Sequence, residues 1–424
     1  MNIIVEKAKK PLAGSIEIPS DKSISHRAAM FSLLVKGKIK ISNFSKGADC
    51  HSTLNIIQKL GCSVEFIDEK NLVVDSSAAI KAPLEPLDCG NSGTTMRLMS
   101  GILAGQNFDT VLFGDESLSK RPMKRVIEPL TLMGAKISHN EYKAPLEIQG
   151  TRLKGIDYVS KLASAQVKSC LVLAGMFSDG VTSVTEPYKS RNHTELMLEY
   201  LGADIKVEGN KVSIKRSNLI PKDISVCGDI SSAAFFMVAA SIVPGSDVTL
   251  KNVGINPTRS GIIDVLRQMH ADIEIFNEKV VSNEPVADIR VKYSKLKATT
   301  IEGEIIPRLI DELPVIAVLA AQAEGITVIK DAEDLRNKEA DRIKAVVCEL
   351  KKIGADIEET EDGFIIKGKK ELKGSAEIEC YHDHRIAMSL YVAGLICEEP
   401  IKINEFEWVD ISFPEFLELM KLIN

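Results

Sequence analysis

Ile353-Gly354-Ala355-Asp356-Ile357 recurs in variant form at four other places along this chain. The copies are Leu60-Gly-Cys-Ser-Val, Met133-Gly-Ala-Lys-Ile, Leu201-Gly-Ala-Asp-Ile and Met269-His-Ala-Asp-Ile. Each reads as an apolar residue ending a helix, a Gly or its substitute, and the start of a strand. Upstream of each lies a second recurring element: a short strand, a polar cluster and an apolar helix rich in small residues. These second elements begin near Ile16, Leu87, Tyr158, Ile224, Ile305 and Ile378. Successive copies stand roughly 70 residues apart, longer than a solenoid repeat. The pattern predicts an α/β protein of six βαβαββ-like units, the last closing with the helix Phe416-Leu-Glu-Leu-Met-Lys-Leu.

The polar clusters are Ser20-Asp-Lys-Ser, Cys89-Gly-Asn-Ser-Gly-Thr-Thr, Ser164-Ala-Gln, Gly228-Asp-Ile-Ser-Ser, Ile310-Asp-Glu-Leu-Pro and His382-Asp-His-Arg. Their Asp, Ser and Asn residues are N-cap types. Helices starting after Asn91-Ser-Gly-Thr, Asp229, Asp311 and Asp383 would each offer free N–H groups and partial positive charge. If several such ends converge on a cleft, they form an anion site before any Lys or Arg is added.

Composition narrows the partners. The 424 residues are too many for one ordinary core. A net charge of −6 does not favour nucleic acid, so an anionic ligand must be met by locally clustered cations. The single Trp408 argues against a stacking surface for bases. Eight cysteines form no Cys-x-x-Cys pair, so no metal site is expected, and they read as reduced residues of a cytoplasmic protein. The longest apolar run, Ala233 to Pro244, is too short to span a membrane.

The densest charge lies in Leu335-Arg-Asn-Lys-Glu-Ala-Asp-Arg-Ile343, where five of nine residues are charged. If Lys338 begins a helix, Lys338, Asp341 and Arg342 share a face, with Glu339 close by. Two cations and a carboxylate suit an anionic substrate that must exchange a proton. A solvated helix start is the commoner meaning of such a run. Lys22, Ser23 and Arg27 suit phosphate or carboxylate. Gly93 lets an anion approach the backbone. Lys120-Arg-Pro-Met-Lys-Arg125 is a basic helix start, and Ser164-Ala-Gln and Ser190-Arg-Asn-His offer donors plus Arg191. Asp311 sits at an expected helix start, as a cap or as a base in a cationic cleft. Asn256-Pro-Thr-Arg259 reads as an Asx-type turn. His193 and His382 are left outside the chemistry.

Together these segments resemble one family, the 5-enolpyruvylshikimate-3-phosphate synthases, also called 3-phosphoshikimate 1-carboxyvinyltransferases. The resemblance covers nearly the whole chain. It rests on Asp21-Lys-Ser-Ile-Ser-His-Arg27, Gly90-Asn-Ser-Gly-Thr-Thr-Met-Arg97, Lys120-Arg-Pro-Met123, Ser164-Ala-Gln166, Leu335 to Arg342 and Asp383-His-Arg385. Ser164-Ala-Gln-Val-Lys, Arg191-Asn-His-Thr-Glu and Asn256-Pro-Thr-Arg look like the bacterial class II branch.

The resemblance implies a two-domain inside-out α/β barrel with three repeats per domain. One domain would hold residues 1–19 and 228–424, the other 20–227, with the active site in the cleft between them. It implies enolpyruvyl transfer from phosphoenolpyruvate to the 5-hydroxyl of shikimate 3-phosphate, with no metal or organic cofactor. Lys22, Arg121, Arg342 and Arg385 would hold phosphoenolpyruvate, with Gly93 N–H and Gln166. Ser23, Arg27, Ser164, Gln166, Arg191, Asp311 and Lys338 would hold shikimate 3-phosphate. Glu339 would protonate the methylene carbon, and Asp311, with Lys22, would take the hydroxyl proton. The expected protein is a cytoplasmic monomer with small-molecule partners only, no nucleic acid and no membrane. Many relatives carry a Lys just before the Phe-Pro near the C-terminus; here Trp408-Val-Asp-Ile-Ser-Phe-Pro414 has none. Two rivals are a sister enzyme acting on UDP-N-acetylglucosamine, whose loop Cys is missing between Lys120 and Arg125, and a non-catalytic anion-binding relative.

Overall fold

The computed structural model describes all 424 residues. The chain forms two compact units. Unit 1 holds Met1–Pro19, Cys227–Val280 and Pro285–Asn424; unit 2 holds Ser20–Val226 and Val281–Glu284.

Six helices form the inner layer, three in each unit. In unit 2 they are α1 (Lys22–Leu34), α2 (Gly93–Ala104) and α3 (Ala165–Gly175). In unit 1 they are α4 (Ile230–Ile242), α5 (Leu313–Ala321) and α6 (His384–Gly394). Every residue of α5 and all but Ser232 of α4 are buried. A helix apolar on all sides must be surrounded by protein. The sheets lie outside the helices, and strands such as Lys211–Ile214 alternate buried and part-exposed residues, as one-sided sheets do.

Each repeat contributes one small open sheet, and none closes on itself. The second repeat shows the plan. Leu87–Asp88 pairs in parallel with Thr110–Phe113, which pairs antiparallel with Lys143–Gln149, which pairs antiparallel with Lys136–Asn140. The third and fifth repeats use the same order. In the second, third, fifth and sixth repeats the strands before and after the inner helix are parallel neighbours in one sheet.

The first and fourth repeats exchange strands. Ala13–Glu17 leads into α1 of unit 2, yet it pairs in parallel with Asp247–Gly254 in unit 1, Ile16 opposite Leu250. Ile224–Ser225 leads into α4 of unit 1, yet it pairs with Lys38–Ser42 in unit 2, Ile224 opposite Ile41. At each crossing the strand stays with the unit that the chain is leaving. The sixth sheet has three strands: Ile3–Val5, from the start of the chain, pairs antiparallel with Ile401–Ile403, beside Glu377–Ile378.

The unit 1 core is one continuous apolar cluster running from Val5 to Ile423. Phe416 stands edge-on to Phe235 and Phe413 within it. None of the eight cysteines is in a disulfide, and only Cys348 lies outside the buried class. No helix is long and apolar enough to cross a membrane.

Two local expectations are corrected. The short strand of the fifth repeat is Thr300–Ile301; Ile305 lies in a 3-10 turn, followed by the short helix Ile306–Leu309. Lys338 does not begin a helix. It ends the 3-10 segment Glu333–Asn337 in extended conformation, and Asp341 caps the following helix, Arg342–Lys352, by accepting from Lys344 N–H at 3.1 Å.

Candidate active site

In unit 2 the three inner helices begin with side-chain caps. Asp21 accepts from Ile24 N–H at 2.8 Å, Ser92 from Thr95 N–H at 3.1 Å and Ser164 from Val167 N–H at 3.5 Å. Such a cap is worth about 1 kcal/mol and fixes where each helix starts. Lys22, Ser23, Gly93 and Gln166 consequently stand in first turns, where free N–H groups gather.

Lys22 pairs with Asp49 at 2.5 Å. Arg27, one turn deeper, is 3% exposed. It donates to Thr194 Oγ1 at 2.8 Å, to Ser169 Oγ at 3.0 Å and to the Ser23 carbonyl at 2.9 Å. Burial among neutral partners pulls its pKa down to about 10, against the pull of Glu195 and Asp21. The guanidinium therefore stays charged at neutral pH while surrounded by hydroxyls.

Gly93 sits against two arginines. A Cβ there would come 2.8 Å from Arg97 Nη1 and 3.6 Å from Arg121 Nη1, so only Gly leaves that space open. Arg97 also donates to Gln166 Oε1 at 2.7 Å, and Gln166 donates to Thr94 Oγ1 at 3.1 Å. Arg121 donates to Asn91 Oδ1 at 2.6 Å. The structure thus gathers Gly93, Arg121 and Gln166 around Arg97. Arg191 lies half-buried just before the helix His193–Tyr200. His193 is buried and paired with Glu284 at 2.7 Å, a structural place.

In unit 1 the organising residue is Arg342, whose side chain is 1% exposed. Its Nε donates to Asp383 Oδ2 at 2.7 Å, its Nη2 to Glu339 Oε2 at 2.6 Å and its Nη1 to Asp311 Oδ1 at 3.3 Å. Burial disfavours the charge, but Asp383, Glu339 and Asp311 outweigh it and hold the guanidinium pKa above its ordinary value. Lys338 lies 4.0 Å from Asp311 and 2.8 Å from Asp334. Arg385 stands in the first turn of α6, where Asp383 accepts its N–H at 2.9 Å. Its guanidinium donates to the Asp311 carbonyl at 3.2 Å.

Asp311 is not a cap. Glu312 holds that position for α5 without a side-chain bond, and the Asp311 carboxylate turns to Arg342 and Lys338 instead. The turn is anchored from below by Glu312, which accepts from Arg259 at 2.9 Å, and both side chains are buried. Thr258 N–H donates to Asn256 Oδ1 at 2.9 Å, forming the expected Asx turn before Arg259. His382 is exposed and stacked on Trp408.

Unit 1 therefore brings Asp311, Lys338, Glu339, Arg342 and Arg385 together. Unit 2 gathers Lys22, Ser23 and Arg27 on α1, and Gly93, Arg121 and Gln166 around Arg97. Sequence reasoning missed Asp49, Arg97 and Arg259, and it saw Asp383 only as a cap. Arg97 carried a usable signal, since it lies four positions after Gly93 on the same helix face.

Unit 2 groups cations with helix N-termini, chemistry that suits an anion, and unit 1 groups carboxylates on one guanidinium. Residues 6–420 match the family model described as EPSP synthase (3-phosphoshikimate 1-carboxyvinyltransferase). The 3-phosphoshikimate 1-carboxyvinyltransferase of Thermoanaerobacter sp. (strain X514) is 52% identical over 431 residues, covering 100% of each chain. That of Bacillus subtilis (strain 168) is 52% identical over 413 residues, 96% of each chain. A solved structure of EPSP synthase from Acinetobacter baumannii superposes with a TM-score of 0.90 at 45% identity, covering 100% of this chain and 98% of that one.

Proposed function

The chain belongs to the EPSP synthase family, and from that premise we propose how its two half-sites divide the chemistry. The reaction itself is the family's: the enolpyruvyl group of phosphoenolpyruvate passes to the 5-hydroxyl of shikimate 3-phosphate, and phosphate leaves. The observation that carries the division is the convergence of Asp311, Glu339 and Asp383 on the one guanidinium of Arg342.

Glu339 protonates the methylene carbon of phosphoenolpyruvate, which makes the neighbouring carbon electrophilic. The 5-hydroxyl oxygen bonds to that carbon, and its proton passes to Asp311, with Lys22 as the alternative acceptor. In the second half the bond between that carbon and the phosphate oxygen breaks, the leaving phosphate takes up the proton that came from the 5-hydroxyl, and the methyl group returns a proton to Glu339. The double bond re-forms in the ether product. Arg342 holds both carboxylates in place while Asp383 holds Arg342.

Lys22, Arg121, Arg342, Arg385, the Gly93 N–H and Gln166 bind phosphoenolpyruvate. Ser23, Arg27, Ser164, Gln166, Arg191, Asp311 and Lys338 bind shikimate 3-phosphate. Both substrates are anions, and bidentate guanidiniums fit phosphate and carboxylate. We take units 1 and 2 as the family's two domains, with one substrate pair engaging both half-sites. A monomer in the cytoplasm is the further reading; eight cysteines outside any disulfide support a reducing compartment. Light scattering of the purified chain tests the monomer against its 46.4 kDa mass.

The deciding assay is phosphate release from phosphoenolpyruvate, with shikimate 3-phosphate or UDP-N-acetylglucosamine as co-substrate and no added metal. Release with shikimate 3-phosphate alone is expected. Release only with the nucleotide sugar would assign the sister reaction, and release with neither, in a folded sample that binds both anions, would leave a non-catalytic relative.

A further inference from the structure

Beneath the Ser164 and Arg191 segments of unit 2 lies an ionic cluster that no step of the reaction uses. The Lys168 side chain, on α3, is 1% exposed, and its ammonium lies 2.9 Å from Glu186 Oε2 and 2.8 Å from Glu195 Oε1. Both carboxylates are buried. Lys168 also donates to the Ser190 carbonyl at 3.2 Å. Glu186 Oε1 accepts the Ser164 N–H at 2.9 Å. Glu186 Oε2 accepts the Ser190 hydroxyl at 2.8 Å and the Ser190 N–H at 3.4 Å. One carboxylate thus holds both the residue that caps α3 and the residue preceding Arg191. The N–H, O–H and C=O of Ser190 all end in this cluster.

Stability alone does not account for it. Buried ion pairs commonly add little over apolar residues of the same volume, because desolvation offsets their attraction. What the cluster supplies is fixed spacing between two segments that share no secondary structure. A misplacement of about 1 Å at a reacting site can cost on the order of a hundredfold in rate.

We propose that Glu186, held by Lys168, is a positioning residue that sets the distance between Ser164 and Arg191 for shikimate 3-phosphate. The proposal rests on the reading that Ser164 and Arg191 bind that substrate. Neither Glu186 nor Lys168 touches it. Lys168 places the Glu186 carboxylate, and Glu186 places the two segments, so the pair acts on one substrate and not on the other.

The test compares Glu186→Gln, Ser190→Ala and Arg191→Ala in the full chain, by steady-state kinetics in both substrates and by calorimetric titration with shikimate 3-phosphate. Losing a charged hydrogen-bond acceptor in Glu186→Gln should raise the KM and Kd for shikimate 3-phosphate about tenfold, with KM for phosphoenolpyruvate changed less than about twofold. Ser190→Ala removes one donor only and should give about a threefold rise with the same selectivity. If Arg191→Ala weakens shikimate 3-phosphate while the other two variants change both KM values equally, or neither, the positioning role is overturned and the substrate reading stands. If Arg191→Ala leaves shikimate 3-phosphate binding unchanged, the substrate reading fails and the proposal falls with it. Should Glu186→Gln not fold, Ser190→Ala decides: a selective rise supports the role, and an unchanged KM ends it.

Discussion

Arg27 and Arg342 are both buried guanidiniums, one in each unit, and they are partnered in opposite ways. Arg27 donates to two hydroxyls and a carbonyl, and burial lowers its pKa. Arg342 donates to three carboxylates, which together raise its pKa against burial. Hydroxyls do not neutralise a guanidinium, so the charge of Arg27 is offset only through space, by Glu195, Asp21 and Glu284. Carboxylates do neutralise one, so any anion that meets Arg342 shares its charge with Asp311, Glu339 and Asp383. Under the proposed roles, the difference sets a guanidinium meant for substrate alone apart from one that also holds the two proposed proton-transfer carboxylates.

The largest effect that would sharpen this contrast is on turnover. Glu339→Gln keeps the shape and a hydrogen-bonding head but removes the proton-transfer group. We expect kcat to fall by about 10³-fold, within the usual range for a general acid–base, while the Kd of either substrate moves less than about threefold. Rapid-quench kinetics and titration of the same preparation check it. Equal losses in binding and rate would make Glu339 a binding group and erase the distinction.

The next effect is on stability. Arg342→Met takes the shared guanidinium from three carboxylates, two of them largely and one fully buried, and leaves Lys338 4.0 Å from Asp311. Breaking a buried pair from one side costs about 3–5 kcal/mol. Arg27→Met strands only neutral oxygens and should cost about 1–3 kcal/mol at most. Urea unfolding of both variants at neutral pH compares them directly. If the two losses were alike, the partner sets would not differ in the way the distances indicate.

The repeats were legible because they are written locally. An apolar residue, a Gly and a strand start recur within five residues, and the caps Asp21, Ser92, Ser164, Asp229 and Asp383 all formed where polar clusters stood. The strand exchange was not legible, since Ile16 meets Leu250 and Ile224 meets Ile41 across long stretches of chain. Pairing of that kind is set by the tertiary fold. Lys338 was read as helical from charge spacing, but Asp341 is the better cap and the helix starts four residues later, at Arg342. The buried pairing of Lys168 with Glu186 and of Arg259 with Glu312 was not foreseen, because charged residues ordinarily read as surface. Here each is buried against a partner whose position no local pattern reveals.

A pH experiment separates the halves more finely. His26, on the buried face of α1, takes part in a chain in which its Nδ1 lies 2.8 Å from Thr53 Oγ1 and Thr53 lies 2.7 Å from Thr95 Oγ1. Burial, with Lys22 and Arg27 nearby, holds its pKa well below the ordinary value. The unfolded chain takes up a proton below about pH 6.5 while the folded chain does not. Stability from this group is therefore complete above about pH 6.5 and falls by about 1.4 kcal/mol per pH unit below it. Unfolding of the wild type and of His26→Gln at pH 7 and pH 5 should show the steeper loss in the wild type. Parallel slopes would mean that His26 titrates alike in both states.

The smallest effect lies in the turns, where the two units differ by one residue. In unit 2 the three helix-to-strand turns use Gly61, Gly134 and Gly202, all at positive φ. In unit 1 Gly354 does the same, but His270 takes the corresponding place at φ 63°. Its N–H bonds the Arg267 carbonyl at 3.0 Å, as a helix-ending residue should, and its side chain is exposed. The backbone conformation that Gly adopts freely costs an L-residue roughly 1 kcal/mol or more. The greater freedom of Gly in the unfolded chain takes back part of that difference. His270→Gly should therefore stabilise the protein by about 0.5 kcal/mol, read as a higher urea midpoint with an unchanged slope, and leave kcat and both KM values as they were. His270→Ala, which keeps the strain and loses the ring, should not stabilise. A gain in His270→Ala equal to that in His270→Gly would place the cost in the imidazole and not in the turn, and the one irregular repeat would need another account.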